Sequence, residues 1–294
     1  MSPAATDDVR ELRRAAARRL LEAGVPSPEH DADELLAHVL GVGRGALALA
    51  VRPTRGQAER YAALVARRAS REPLQHLTGE AWFRHLRLEV GPGVFVPRPE
   101  TELLAGWAIE QAAARVGAAG ARDARAPVVV DLATGSGAIA GSVAQEVPGA
   151  QVHAVELDED ALAWALRNLG GTGVDLRRGD LATAFPELDD RVDVVVCNPP
   201  YVPITAWDGV AAEARDHDPH LALFAGQDGL DAIRLVESSA ARLLRPGGVV
   251  GVEHADVQGE SAPGVFAGTG RWAAVRDHRD LAGRPRFLTA RLAR

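Results

Sequence analysis

Apolar residues in the first seventy positions recur three and four apart with polar residues between them, a spacing that predicts helices. The stretch "TDDVRELRRAAARRLLEAG" offers Thr6 as an N-cap, with Asp7, Asp8 and Glu11 in its first turns. Val9, Leu12, Leu20 and Leu21 form an apolar stripe, and Gly24 ends it. "SPEHDADELLAHVLG" repeats the pattern with Ser27 as cap, Pro28 at the first helical position and Gly41 as terminator. A third helix is expected from Thr54 to Ala69, with Tyr61, Leu64 and Val65 turned inward.

The pattern changes between His76 and Pro99. Trp82, Phe83, Leu86, Leu88 and Val90 are separated by polar residues and followed by Gly-Pro-Gly, which predicts a β-hairpin between two domains. A helix follows in "PRPETELLAGWAIEQAAA", with Thr101 as its cap. "GAAGARDARAP" (117–127) reads as a loop. From Pro127 onward, short apolar runs alternate with amphipathic stretches. Strands are expected in "APVVVDLA", "AQVHAVEL", "VDLRRGDL", "RVDVVVCNPP", "PGGVVGVEHA" and "RPRFLTARL", and helices in "GAIAGSVAQEV", "DEDALAWALRNLG" and "GLDAIRLVESSAARLL". Near-continuous apolar strands between helices imply an α/β domain whose mainly parallel sheet is covered on both faces. The expected organisation is a helical domain over 1–75, a hairpin linker over 76–100 and the sheet domain over 101–294. Folds of this class bind ligands beyond the carboxyl ends of their strands.

Composition narrows the chemistry. Of 294 residues, 47% are hydrophobic and 25% charged, an ordinary globular balance. All 33 basic residues are arginine, which excludes a P-loop lysine, a Schiff-base lysine and a lysine general base. Cys197 is the one cysteine, so an intrachain disulfide or a cysteine-based zinc site is excluded. The net charge of −7 argues against broad capture of nucleic acid or an anionic membrane. The first ten residues contain no apolar segment of the secretory kind and no apolar run approaches spanning length, so a cytoplasmic location is expected.

Two strand ends carry candidate chemistry. In "VVVDLATGSGAIA", Asp131 ends a strand, and Ala133, Thr134, Gly135, Ser136 and Gly137 form the loop before a helix. The glycines permit positive φ and close approach of a ligand to the backbone. Glu156 ends the next strand, where a carboxylate can accept ribose hydroxyls, and Asp180 follows a third, where it can meet an adenine amino group. "GSGAIA" with Glu156 about twenty residues on also satisfies a dinucleotide-binding pattern, which leaves a nicotinamide-dependent oxidoreductase open. Asp131 before the loop favours S-adenosylmethionine, whose ammonium group calls for a nearby anion.

"VVVCNPPYVP" (194–203) decides further. Asn198 ends a buried strand, and its side-chain oxygen and the Pro199 carbonyl can each accept a hydrogen bond from an NH2 group. Pro199 and Pro200 donate no backbone N–H and stiffen the chain, and Tyr201 can stack on a planar amide or base. Together these groups can hold a planar –NH2 with its nitrogen turned toward a methyl donor, an arrangement an oxidoreductase does not use. "HDPH" (217–220) is read as a loop feature, since no further metal ligands cluster beside it.

With the "DLATGSGAIA" loop, "NPPY" resembles the class I, S-adenosylmethionine-dependent N-methyltransferases. "REPLQHLTGEAWF", "VFVPRPETELL", "DGLDAIRLV", "LRPGGVVGVEHADVQGE" and "RDLAGRPRF" further resemble the peptide chain release factor glutamine methyltransferases, the HemK/PrmC family, over nearly the whole chain. The resemblance implies a Rossmann-like methyltransferase domain and N5-methylation of the glutamine in the Gly-Gly-Gln motif of bacterial release factors. It implies that Ala133 to Gly137, Glu156, Leu181 and Asn198 surround the cofactor. It also implies that Asn198 to Tyr201 hold the target glutamine, with Arg98 and Glu100 near the entrance. Two positions depart from the family pattern: Ala133 stands where a glycine is common, and Leu181 where an aromatic often flanks the adenine.

The helical domain is expected to help grip the release factor. Arg10, Arg14 and Arg18 recur at helical spacing, although residues 1–76 hold 12 arginines against 10 carboxylates and are only mildly positive. The nearest rival is an adenine-N6 DNA methyltransferase, which uses the same Asn-Pro-Pro-Tyr chemistry but needs a basic cleft for a flipped base. Beyond residue 76 the chain has 21 arginines against 30 carboxylates.

Overall fold

The computed structural model describes residues 8–49, 52–117 and 125–293. The chain divides into two compact units, Met1–Glu80 with Ala211–His217, and Ala81–Val210 with Asp218–Arg294.

The first unit is helical. Helices α1 (Val9–Glu22), α2 (Pro28–Leu40), α3 (Arg55–Ala69) and α4 (Leu74–Thr78) enclose a core of Leu20, Leu35, Leu36, Leu47, Tyr61 and Val65. Asp8 caps α1 by accepting the Arg10 N–H; Thr6, the expected cap, lies outside the described residues. Leu21 does not join the stripe expected of it, being 62% exposed, because it points about 100° around the helix from the buried row of Val9, Ala16 and Leu20. Thr54 and Gln57 form a reciprocal capping box at α3, and Gly41 ends α2 in the left-handed region, as the sequence pattern implies. A short helix from much later in the chain, Ala212–His217, belongs to this unit. Its Glu213 accepts from Arg68 at 3.0 Å and Arg71 at 2.6 Å, and Arg68 also pairs with the buried Asp31 at 2.7 Å.

The second unit begins with a two-stranded hairpin, β1 (Glu80–Phe83) and β2 (Leu86–Glu89), followed by α5 (Thr101–Gly117). Next come β3 (Val128–Leu132), α6 (Ala138–Glu146), β4 (Gln151–Glu156), α7 (Glu159–Leu169), β5 (Asp175–Arg178) and β6 (Val192–Cys197). Leaving aside Ala212–His217 (α8), α9 (His220–Leu223), α10 (Asp231–Leu243), β7 (Leu244–Glu253), α11 (Ser261–Gly268), β8 (Trp272–Arg279) and β9 (Pro285–Leu292) complete the fold. The seven-stranded sheet runs β5-β4-β3-β6-β7-β9-β8; its first five strands are parallel, β9 pairs antiparallel with β7, and β8 antiparallel with β9.

Every residue of β3 and β6 is buried, as runs apolar but for Asp131 and Asp193 require when helices cover both faces. Alternate side chains feed two cores. Val129, Val152, Val194 and Val196 pack with α5, α6 and the hairpin residues Phe83 and Leu88. Val130, Leu132, Val195, Cys197 and Val252 pack with Ile233, Val236 and Leu243 of α10 and Phe266 of α11. Strand β8 is absent from the sequence expectations because it buries only Trp272 well, so it carries little apolar signal.

Candidate active site

The side on which successive strands are added switches at β3: β4 and β5 lie to one side and β6 and β7 to the other, so a crevice opens beyond the ends of β3 and β6. The register makes this quantitative. Leu132 is level with Val155 on one side and with Cys197 on the other, and Cys197 is level with Val252. One residue further along each strand, Glu156, Ala133, Asn198 and Glu253 form a row across four adjacent strands. Three of the four are polar and follow buried apolar runs.

The loop after β3 is braced from within. The Asp131 side chain is fully buried; its Oδ2 accepts from the Thr134 hydroxyl at 2.6 Å and from the Ala140 N–H at 3.1 Å, while Oδ1 has no partner among the described residues. Burial pushes the Asp131 carboxyl up to about 7, although both hydrogen bonds act in the opposite sense. Gly135 donates its N–H to Glu156 Oε2 at 2.8 Å, and Glu156 Oε1 accepts from the Leu157 and Asp158 N–H groups. Burial raises the Glu156 carboxyl as well, against these three backbone bonds. Gly137 has φ 84°, and a Cβ there would lie 2.8 Å from Leu169 Cγ, so any other residue would strain the backbone and displace the Leu169 side chain. Ala133 takes φ 55°, the left-handed region that glycine tolerates and alanine does not favour, at the position where the family pattern carries glycine. Ser136 is buried, and its carbonyl accepts from Asn168 Nδ2, which also bonds the Glu89 carbonyl of β2.

Beyond β6, the Asn198 amide is clamped: Nδ2 donates to the Thr101 hydroxyl at 3.2 Å. Pro199 is buried and Pro200 half-buried. The Tyr201 hydroxyl donates to Glu253 Oε1 at 3.2 Å, and the Tyr201 carbonyl accepts from Gln258 Nε2 at 3.1 Å. Burial raises the Tyr201 phenol far above its usual range, so it stays a hydroxyl. The next residues are pinned in turn, Val202 exchanging backbone bonds with Leu223 and Ala225.

Other expected site residues lie differently. Asp180 is exposed beyond β5, with Oδ1 accepting the Ala182 N–H, and Leu181 packs half-buried on the second core. Arg98 donates to Asp218 Oδ2 at 2.7 Å and covers the Phe95 ring at 4.7 Å. Asp218 lies inside "HDPH", and burial pushes its carboxyl up to about 6. His220 packs edge-on against Trp207 and Phe224. Glu100 is exposed, as are Arg10, Arg14 and Arg18 in the first unit.

Four residues of this site stand outside the sequence expectations for it. Thr101 is expected only as a helix cap, and Gln258 and Asn168 carry no local signal. Glu253 carries one: it ends an apolar run in "VVGVEHA" just as Asp131 and Glu156 end theirs.

Comparison with known proteins gives the site its context. A model of the PrmC N-terminal domain matches residues 11–79, and a methyltransferase domain model matches residues 129–217. The release factor glutamine methyltransferase of Streptomyces coelicolor is 60% identical over 95% of this chain and 96% of its own length. The chain belongs to the release factor glutamine methyltransferase family. The Mycolicibacterium smegmatis member is 46% identical over 97% of this chain and 99% of its own. A 4-amino-L-phenylalanine/4-methylamino-L-phenylalanine methyltransferase of Streptomyces pristinaespiralis is 48% identical over 71% of this chain and 70% of its own. Among solved structures, the hMettl16 catalytic domain bound to an RNA hairpin superposes with TM-score 0.51 at 13% identity, over 83% of this chain and 84% of that one; this likeness is one of fold.

As a methyltransferase of this family, the protein takes its methyl group from S-adenosylmethionine, and the residues present suit that molecule. Asp131 Oδ1 is a buried acceptor without a partner among the described residues, a chemistry that suits an ammonium group. Glu156 has about four lone-pair positions, three of them used by backbone N–H groups, so one remains for a ribose hydroxyl. No described helix is long and apolar enough to cross a membrane.

Proposed function

We propose that this protein methylates N5 of the glutamine side chain in the Gly-Gly-Gln motif of peptide chain release factors. It does so as a cytoplasmic monomer without stable binding to nucleic acid. Asn198 carries the reading: with Nδ2 tied to Thr101, its Oδ1 is the atom left to accept from a substrate –NH2. S-adenosylmethionine, when bound, supplies an electrophilic methyl group on a sulfonium sulfur. Asp131 would hold its ammonium group, Glu156 a ribose hydroxyl, and Asp180 and Leu181 the adenine side.

An amide nitrogen is a poor nucleophile because its lone pair is delocalised into the carbonyl. Asn198 Oδ1 and the Pro199 carbonyl, each hydrogen-bonded to one of its hydrogens, oppose that delocalisation and stabilise the charge that nitrogen gains as the nitrogen–carbon bond forms; the methyl–sulfur bond would break in the same step, with S-adenosylhomocysteine as the leaving group. Pro199 and Pro200 hold these acceptors on a stiff chain, and Tyr201 packs against the substrate amide. The nitrogen then loses one proton to solvent, so no basic side chain is required at this point. Arg98 and Glu100 would border the entrance, and the exposed Arg10, Arg14 and Arg18 face would meet the release factor.

The test is methyl transfer from labelled S-adenosylmethionine to a purified bacterial release factor. A Gln→Ala change in its Gly-Gly-Gln motif, duplex DNA and 4-amino-L-phenylalanine serve as alternative acceptors. Label on the native factor alone supports the reading. Label on DNA or on the aromatic amine, with none on the factor, overturns it.

A further inference from the structure

Glu253 lies one strand beyond Asn198 in the row of strand ends, fully buried, and the chemistry above assigns it nothing. Its Oε1 accepts from the Tyr201 hydroxyl. Its Oε2 makes no hydrogen bond of good geometry, yet the Thr101 hydroxyl sits beside the carboxylate, near enough to favour its charged form. That hydroxyl is also the group that receives the Asn198 amide at 3.2 Å. One carboxylate therefore adjoins both polar side chains of the substrate shelf, directly in one case and through one hydroxyl in the other.

A hydroxyl has a single proton, and where it points decides what its oxygen can do for a neighbour. If Thr101 donates its O–H to Glu253, its oxygen meets Asn198 only as an acceptor. Asn198 must then turn Nδ2 inward and leave Oδ1 for the substrate. If that proton is released toward Asn198, the amide can flip, because its two ends are nearly isosteric and differ only in hydrogen bonding. A flipped Asn198 would present N–H groups to a substrate –NH2, donor against donor.

We propose that Glu253 is a positioning residue for the methyl transfer: as an acceptor-only carboxylate it accepts hydrogen bonds from the Thr101 and Tyr201 hydroxyls and thereby fixes Asn198 with Oδ1 toward the substrate nitrogen. The inference rests on the reading above that Asn198 accepts from the substrate amide. The surroundings of Glu253 are mixed. Arg286 of β9 favours its charged form, Glu100 opposes it, and the Cys197 thiol of β6 lies within its field. Burial outweighs the favourable partners and pushes the carboxyl up to about 7. Turnover should therefore fall as pH drops through that value, when the acid form donates where the carboxylate accepted. Asp131 titrates in the same range but adjoins the cofactor loop, so its proton is read in the KM for S-adenosylmethionine and not in kcat.

The experiment is steady-state methylation of a release factor by the full chain, its Glu253→Gln, Thr101→Val and Thr101→Ser variants, each from pH 6 to 9. Glu253→Gln should lower kcat about tenfold or more through misalignment. Its KM for S-adenosylmethionine should stay near that of the parent, and the acid limb of kcat should disappear. Thr101→Val should lower kcat comparably, and Thr101→Ser, which restores the hydroxyl, should recover most of it. A Glu253→Gln enzyme with the parent's kcat and pH profile overturns the inference, as does a Thr101→Ser enzyme no better than Thr101→Val. The parent, run alongside, separates two kinds of failure. No transfer to the factor by the parent contradicts the underlying reading and the inference with it; native transfer that Glu253→Gln matches contradicts the inference alone.

Discussion

Replacing Gly229 by alanine probes how the substrate shelf is held. Gly229 has φ 73°, and a Cβ there would lie 2.8 Å from Gln258 Nε2, 3.0 Å from Pro203 Cδ and closer still to the Tyr201 carbonyl oxygen. The left-handed backbone alone costs an alanine about 1–2 kcal/mol. Forcing a methyl into packed surroundings adds about 1–3 kcal/mol. Alanine recovers about 0.5–1 kcal/mol by restricting the unfolded chain, so the net loss is about 1–4.5 kcal/mol. Gly283 supplies the control: its φ is 77°, but nothing lies within 4 Å of the added Cβ, so Gly283→Ala should lose only about 1 kcal/mol. Urea unfolding of both variants isolates the steric part as their difference. Because the clash is with the backbone of Tyr201, Gly229→Ala should also slow methyl transfer about 10- to 100-fold, with Gly283→Ala near the parent rate. Equal stability in the two variants, with parental turnover in both, would refute the idea that Gly229 seats the Tyr201 backbone.

Three further outcomes follow from buried charge. Arg68→Met leaves Asp31 buried without its cation while Glu213 keeps Arg71, and should cost about 3–5 kcal/mol in urea unfolding; adding Asp31→Asn should recover part of it, and a loss well under 1 kcal/mol would contradict this. Asp131 has a folded-state pKa raised to about 7, so the stability it contributes is complete below the ordinary carboxylate range and is lost as pH rises through 7. Asp131→Asn cannot ionise, so its stability relative to the parent should improve from pH 5 to pH 8. Calorimetric affinity for S-adenosylmethionine at pH 8 should fall about tenfold with the lost charge pair; unchanged affinity would contradict the assignment of Oδ1 to the ammonium group.

Much of this architecture is legible in the chain because burial on both faces leaves a plain signal. Val128–Leu132 and Val192–Cys197 are apolar throughout but for Asp131 and Asp193, and each run ends where a loop must reach the crevice. Polar residues closing such runs, Glu156 and Asn198 among them, can therefore be placed at strand ends without coordinates. Less is legible where the determining contact is distant in sequence. Thr101 is 97 residues from the amide it receives, and Gln258 is 57 from the Tyr201 carbonyl it holds, so neither leaves a periodic trace. The helix Ala212–His217 joins the first unit through Glu213 and two arginines some 140 residues earlier, and no local pattern announces that. The strain at Ala133 is half-legible: a glycine is expected there, but only the fold shows that the alanine keeps the positive φ.

The most direct test of the shelf is single-turnover methylation of a release factor by Asn198→Ala, with both substrates saturating and cofactor affinity measured beside it. Removing one oriented acceptor should slow transfer about 10²- to 10³-fold while S-adenosylmethionine binds nearly as before. Transfer at the parent rate would mean that Asn198 does not hold the substrate amide.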